Sequence, residues 1–187
     1  MQDFTSIRLS TPRLLLRPLV AEDAPALFAI FSNPQVMRYW NTPPWSSVAV
    51  AADFIREEQR AMHDGLRLTL AIVDAQSGEL LGKCLLFNYR SESRRAEIGF
   101  GIATSAWGKG YVQEAAGELL RYAFEALQLN RIEAEIDPTN LASGRALERL
   151  GFTREGLLRE RWIIDAQVSD SALYGLLRAD WRKLVKD

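Results

Sequence analysis

Ser105-Ala106-Trp107-Gly108-Lys109-Gly110-Tyr111 is the stretch of this 187-residue chain best equipped for chemistry. It lies between an alternating apolar run and a long helical pattern, so its glycines form a turn at a helix start. Such a turn leaves backbone N–H groups unpaired, and glycine lets the main chain approach a ligand closely. Together they make a cradle for a phosphate, to which Lys109 adds positive charge. An ordinary strand-to-helix connection uses the same residues, and the turn alone does not separate the two. Two nucleotide motifs fail here. A P-loop needs Ser or Thr after Gly-Lys, where Gly110 stands, and the dinucleotide fingerprint needs a third glycine that residues 108–113 lack. Gly99-Phe100-Gly101 sits inside a strand pattern and reads as a bulge or a close backbone approach.

Asn140-Leu141-Ala142-Ser143 is a second cluster. Read locally, Asn140 is a helix N-cap and Gly151 a C-terminal stop. In an α/β sheet, however, ligands gather beyond the carboxyl ends of parallel strands, and Gly108 and Asn140 both fall there, on neighbouring connections.

The elements that would position these groups follow from periodicity. Residues 13–17 form a short buried strand, and Glu22-Asp23 open a helix that stops before Asn33-Pro34. Pro43-Pro44, flanked by Trp40 and Trp45, mark a loop, and residues 47–64 a helix ended by Gly65. Residues 66–74 and 79–87 are strands joined by a turn with Gly78 at the position needing positive φ. In the strand at 94–103, Ala96, Ile98, Phe100 and Ile102 share one face, and Glu97, Gly99 and Gly101 the other, which is expected to be nearly bare. Residues 108–129 carry the longest helix, 131–137 a strand with one buried face, 140–151 a further helix, and 152–164 and 168–177 the last two strands. The order is mixed α/β: an antiparallel first half and one β-α-β crossover over 94–137.

Composition narrows the function. The length fits one domain, 1–187, and 48% hydrophobic residues suffice for a core. A net charge of -1 removes the footprint of a general nucleic-acid binder. One cysteine, Cys84, and one histidine, His63, supply no metal-ligand set, so no metal is expected. Cys84 is read as a buried small apolar residue and His63 as a surface residue at a helix end. The first ten residues hold no long apolar stretch, which gives the expectation of a cytoplasmic protein with neither nucleic acid nor membrane as partner, monomeric or homodimeric.

Several segments in order resemble the GNAT superfamily of acetyl-coenzyme A-dependent N-acetyltransferases, and within it the Rim-type ribosomal-protein N-acetyltransferases. They are Thr11-Pro12-Arg13-Leu14, Ala96-Glu97-Ile98-Gly99-Phe100, Trp107-Gly108-Lys109-Gly110-Tyr111 with Glu114-Ala115, Asn140-Leu141-Ala142-Ser143, Leu150-Gly151-Phe152 and Tyr174. The resemblance runs over nearly the whole chain. It implies a sheet of about seven strands whose fourth and fifth splay apart, making a slot for the pantetheine arm. Backbone groups of Ile102, Ala103 and Thr104 would pair with that arm, the amides of Gly108, Lys109, Gly110, Tyr111 and Val112 would hold the pyrophosphate, and Asn140 would bind from the other side. One position departs from the pattern: the family often has Gln or Arg three residues before the first loop glycine, where this chain has Ser105. That loss touches a side-chain contact, not the backbone cradle.

Acetyl transfer needs a neutral amine, a polarised thioester carbonyl and a departing thiolate. A backbone N–H near Ile102 would face the developing oxyanion. Glu97, on the glycine-rich face, is the expected base, acting directly or through a water; Glu133 and Glu135 are rivals, and a simple ion pair with Arg94 or Arg95 is the other reading of Glu97. The resemblance offers Ser143 or Tyr174 as the acid for the thiolate. It also places Tyr39, Trp40 and Trp45 over the acceptor, though these aromatics serve equally as core anchors. The expected acceptor is the α-amine of a peptide or protein N-terminus, entering between the aromatic loop and the hairpin near Asp165 to Asp170. A small amine in an acid-lined pocket with Glu133, Glu135 or Asp170 is the alternative. A non-catalytic acyl-coenzyme A sensor and an interaction domain are readings from other classes.

Overall fold

The structure, a computed structural model, describes residues 3–164 and 166–185. Its strands are β1 (Leu9–Ser10), β2 (Leu14–Pro18), β3 (Leu68–Asp74), β4 (Leu80–Arg90), β5 (Arg95–Ile102), β6 (Arg131–Ile136), β7 (Thr153–Ile164) and β8 (Gln167–Leu177). The helices are α1 (Ala24–Phe31), α2 (Pro34–Met37), α3 (Val48–His63), α4 (Tyr111–Glu125), α5 (Leu141–Arg149) and α6 (Arg178–Leu184). The strands form one mixed sheet in the order β1-β2-β3-β4-β5-β6-β8-β7. The seven strands read from the sequence are all present, with β1 added at one edge.

Two cores flank the sheet, and the strand sequences record both. In β3, Leu70 and Ile72 enter the core under α4, while Ala71 and Val73 enter the one under α1 and α3. A strand buried on both faces reads as a continuous apolar run. Helix α4 buries Ala115, Ala116, Leu119, Leu120, Ala123 and Phe124, a stripe at helical spacing that packs it on the first core. Asn33-Pro34 ends α1 and also begins α2, because the Asn33 side chain accepts the Gln35 N–H (2.9 Å) and proline suits the first helical position. That second use was not legible as a separate element.

The crossover through α4 makes β5 and β6 the parallel pair. They pair only from Arg95 to Glu97 against Arg131 to Glu133. Past that point β5 stays on β4 as far as Ile102, while Ala134 to Ile136 stay on β8. The two strands therefore part along their carboxyl halves, opening a wedge at the end where α4 and α5 begin.

Candidate active site

At the mouth of the wedge the glycine turn takes the form its sequence implied. Gly108 and Gly110 both have positive φ, +73° and +78°, a region L side chains enter at a cost. The amides of residues 108–113 make no hydrogen bond among the described residues, so the loop and the first turn of α4 present a row of free donors. That row fits an anion such as a pyrophosphate.

A clamp from the turn between β1 and β2 fixes the loop. The Glu114 carboxylate accepts from the Thr11 hydroxyl (2.5 Å), the Arg13 amide (2.9 Å) and the Arg13 Nε (2.6 Å). Arg13 continues to the Lys109 carbonyl (3.0 Å) and lies 4.7 Å over the Tyr111 ring. Burial works to raise the Glu114 pKa, but hydrogen bonds from Thr11 and Arg13 outweigh it and leave the carboxyl below its ordinary value. Thr11, Arg13 and Glu114 were visible in the sequence only as parts of a family pattern; nothing in their spacing shows that they meet.

The wall of the wedge follows from ladder geometry. The Ala103 N–H donates to the Leu81 carbonyl at 2.8 Å. Antiparallel alternation then turns the main-chain groups of Gly99 and Gly101 toward β4, and those of Phe100 and Ile102 into the gap. The Ile102 carbonyl there accepts the Trp107 indole N–H at 3.1 Å, and the Thr104 carbonyl accepts the Trp107 amide at 3.2 Å. Ala103 is occupied on both sides, its carbonyl taking the Ala106 amide at 2.9 Å.

On the far wall, Asn140 caps α5: its side-chain oxygen accepts the Ser143 N–H at 3.1 Å, which leaves its amide NH2 without a partner among the described residues. Tyr174, paired with Ala134 on the adjoining strand, is 6% exposed, and its hydroxyl makes no hydrogen bond among the described residues. A side chain at Gly144 would meet that hydroxyl at 3.2 Å. The Tyr174 hydroxyl thus lies beside Gly144, the residue that follows Ser143 in the first turn of α5.

The face of β5 that carries Glu97, Gly99 and Gly101 is not bare, contrary to the expectation. A side chain at Gly101 would strike Trp40 at 2.6 Å and Phe31 at 3.1 Å, and one at Gly99 would meet Leu85 at 3.0 Å. The glycines make room for aromatic rings of the chain itself. Trp45 joins them, its ring 5.1 Å from Phe31 and 5.2 Å from Phe54. Trp40 and Trp45 are therefore core anchors at the edge of the wedge. Tyr39 reaches across it, its hydroxyl 3.4 Å from the Thr139 carbonyl, so the passage expected beside the aromatic loop is bridged at this point. Asp165, one end of the hairpin expected to border that passage, lies outside the described residues.

Glu97 accepts a hydrogen bond from the Asn88 amide at 2.8 Å. Arg95, one of its expected ionic partners, instead binds Glu133 (2.5 Å), which Arg131 also contacts at 2.8 Å. Glu135 accepts from Arg161 (3.2 Å) and from the Trp162 indole (3.0 Å), and Asp170 from the Glu160 amide (2.8 Å). Cys84 is fully buried, and burial pushes its thiol up to about 12, which removes it as a nucleophile. His63 is exposed at the end of α3.

Comparison with known proteins agrees with this geometry. Residues 13–153 match the acetyltransferase (GNAT) domain model. An uncharacterized N-acetyltransferase p20 of Bacillus licheniformis is 35% identical, covering 92% of this chain and 97% of its own. The [ribosomal protein uS5]-alanine N-acetyltransferase of Escherichia coli is 28% identical, over 94% of this chain and 93% of its own. Among solved structures, Mycobacterium smegmatis RimJ in complex with CoA-disulfide superposes with a TM-score of 0.87 at 25% identity, covering all of this chain and 97% of its own. The spermidine N-acetyltransferase of Vibrio cholerae, in complex with CoA and spermine, gives 0.81 at 26% identity, over 92% of this chain and 99% of its own. No helix among the described residues is long and apolar enough to cross a membrane. The parted strands with their amide-lined helix start, and the match of most of the sequence to one domain model, lead to the same conclusion: the chain belongs to the GNAT family and is an acetyl-coenzyme A-dependent N-acetyltransferase.

Proposed function

We propose that this enzyme acetylates the α-amino group of a peptide or protein N-terminus by direct attack within a ternary complex. The observation that carries the choice of acceptor is the matching of charge on the face opposite α4. Glu133 is held by Arg95 and Arg131, and Glu135 by Arg161, so these carboxylates are not free anchors for a polycation. An acceptor with a single amine loses nothing by their engagement. The likeness to the uS5-alanine enzyme supports the same acceptor class.

In this reading the amides of Gly108 to Val112 hold the pyrophosphate. The gap-facing main chain of Ile102, with Thr104 beyond it, pairs with the pantetheine arm. Ala103 lines the slot without pairing, and the Asn140 amide donates from the far wall. The neutral amine attacks the thioester carbonyl carbon, and the carbon–sulfur bond breaks. The amine's surplus proton passes to Glu97, whose partner Asn88 is uncharged, unlike the arginines that hold Glu133 and Glu135. The thiolate takes a proton from Tyr174 or Ser143, and the Ile102 N–H faces the oxygen on which charge develops.

The test is acetyl transfer to short peptides of varied first residue, to the same peptides with blocked N-termini, and to spermidine, aminoglycosides and free amino acids, read by mass spectrometry. Acetylation is expected on the free α-amine and absent from blocked peptides. Transfer confined to small amines would move the assignment to the polyamine reading, which the likeness to the spermidine enzyme favours. Coenzyme A binding with no transfer to any of these amines would overturn the proposed acceptor.

A further inference from the structure

Lys83 lies in the middle of Leu80-Leu81-Gly82-Lys83-Cys84-Leu85-Leu86, and only 3% of it is exposed. Its Nζ stands 4.3 Å from the Phe54 ring centre, 4.7 Å from Trp40 and 4.9 Å from Phe31. It makes no hydrogen bond or ion pair among the described residues, because Glu58, the nearby carboxylate, is engaged by Arg67 and Thr69. Aromatic faces return part of what a buried cation loses in leaving water, but a methionine would fill the same cage without that loss. Stability does not account for a charge at this position.

Its location suggests what does. The β4–β5 register sets Lys83 opposite Gly101, and Trp40, one wall of the cage, covers Gly101 on the face away from α4. We infer that Lys83 is a supporting electrostatic residue for acetyl transfer: its cation, fixed in the cage behind Gly101, disfavours the ammonium form of an amine docked where β5 and β6 part. The amine is thereby kept in the neutral form that attacks. This rests on the acceptor placement proposed above. The charged groups facing Lys83 are Glu58 from α3, which favours its cation, and Arg67 from ahead of β3, which opposes it. Helix α1 carries no charged residue, and β5 offers Gly101. Burial is the largest effect and brings the Lys83 pKa down to about 8. The cation therefore persists at neutral pH, where an acceptor most needs to lose its proton. A unit charge within about ten ångström, at an effective dielectric of about 20, lowers an amine's pKa by on the order of one pH unit.

The experiment is kcat against pH at saturating acceptor, since that profile reports ionisations in the ternary complex. In Lys83→Met the acid limb should move up by about one pH unit, a roughly tenfold loss below the limb that vanishes at high pH. Lys83→Arg should keep the parent profile, and the Met deficit should shrink for acceptors of intrinsically low amine pKa. A Lys83→Met profile that superimposes on the parent, or falls by one factor at every pH and for every acceptor, overturns the inference. If Lys83→Met does not fold, the parent still decides: its acid limb must lie below the acceptor's pKa in solution, and coincidence of the two overturns the inference. A parent that acetylates amines with an unshifted limb sinks this inference alone, whereas one that acetylates none sinks the proposed function with it.

Discussion

Glu97, Ser143 and Tyr174 show what a residue can and cannot announce about its role. Glu97 was marked by its glycine neighbours, and the structure gives it a neutral partner in place of an arginine. Glu97→Gln is expected to lower kcat by about a hundredfold, the lower end for a positioned base, and to leave the coenzyme A dissociation constant unchanged. Calorimetry and steady-state kinetics on the one variant decide it: an unchanged kcat removes Glu97 from the reaction. The convergence of Tyr174 with the start of α5 was not legible, because the two lie on different elements and meet only through the β6–β8 register and the missing side chain of Gly144. Lys83 was passed over for a related reason. A lysine in a strand reads as the solvent side of an alternation, and only its place inside an unbroken apolar run could have flagged it.

Among the elements, the β5–α4 connection carries most of the cofactor site, and its parts were unequally visible. The glycine turn, the long helix and the strand before it follow from period and composition. The clamp of Thr11 and Arg13 on Glu114 depends on β2 lying near the start of α4, a tertiary fact. The same holds for the face of β5: alternation separated Glu97, Gly99 and Gly101 from the buried set, but the Phe31, Trp40 and Trp45 cluster that covers part of this face comes from α1 and the loop after α2. Glu114→Ala should raise the coenzyme A dissociation constant about tenfold by loosening the loop that Arg13 holds, with the fold retained. Gly110→Val should weaken binding at least as much. A Cβ at this position would meet nothing closer than Arg13 at 3.5 Å, and the positive φ of Gly110 is the strain that any L side chain there would carry. Binding by either variant as tight as the parent's would show that the clamped turn does not hold the pyrophosphate.

For the whole molecule, two buried groups on β4 give stability a pH dependence of known sign. Lys83 has a folded-state pKa lowered from 10.5 to about 8 by burial, so between these values the unfolded chain binds more protons and stability rises with pH. Cys84 works the other way: its pKa is raised from 9.0 to about 12 by burial, the folded chain keeps the proton, and stability falls above pH 9. Parent stability should therefore climb from about pH 8 to 9 and then level or turn. Lys83→Met should lack the climb, as urea unfolding at stepped pH would show, and parallel curves would place the Lys83 amine in water.

The account as a whole stands on the parting of β5 from β6 beside the amides of residues 108–112, and a crystal structure with acetyl-coenzyme A tests it most directly. The expected result has the pyrophosphate within hydrogen-bond distance of the amides from Gly108 to Val112, the pantetheine arm along the gap-facing edge at Ile102, and the acetyl group between that edge and Tyr174. A cofactor bound away from the α4 start, or lying outside a closed β5–β6 pair, would contradict it.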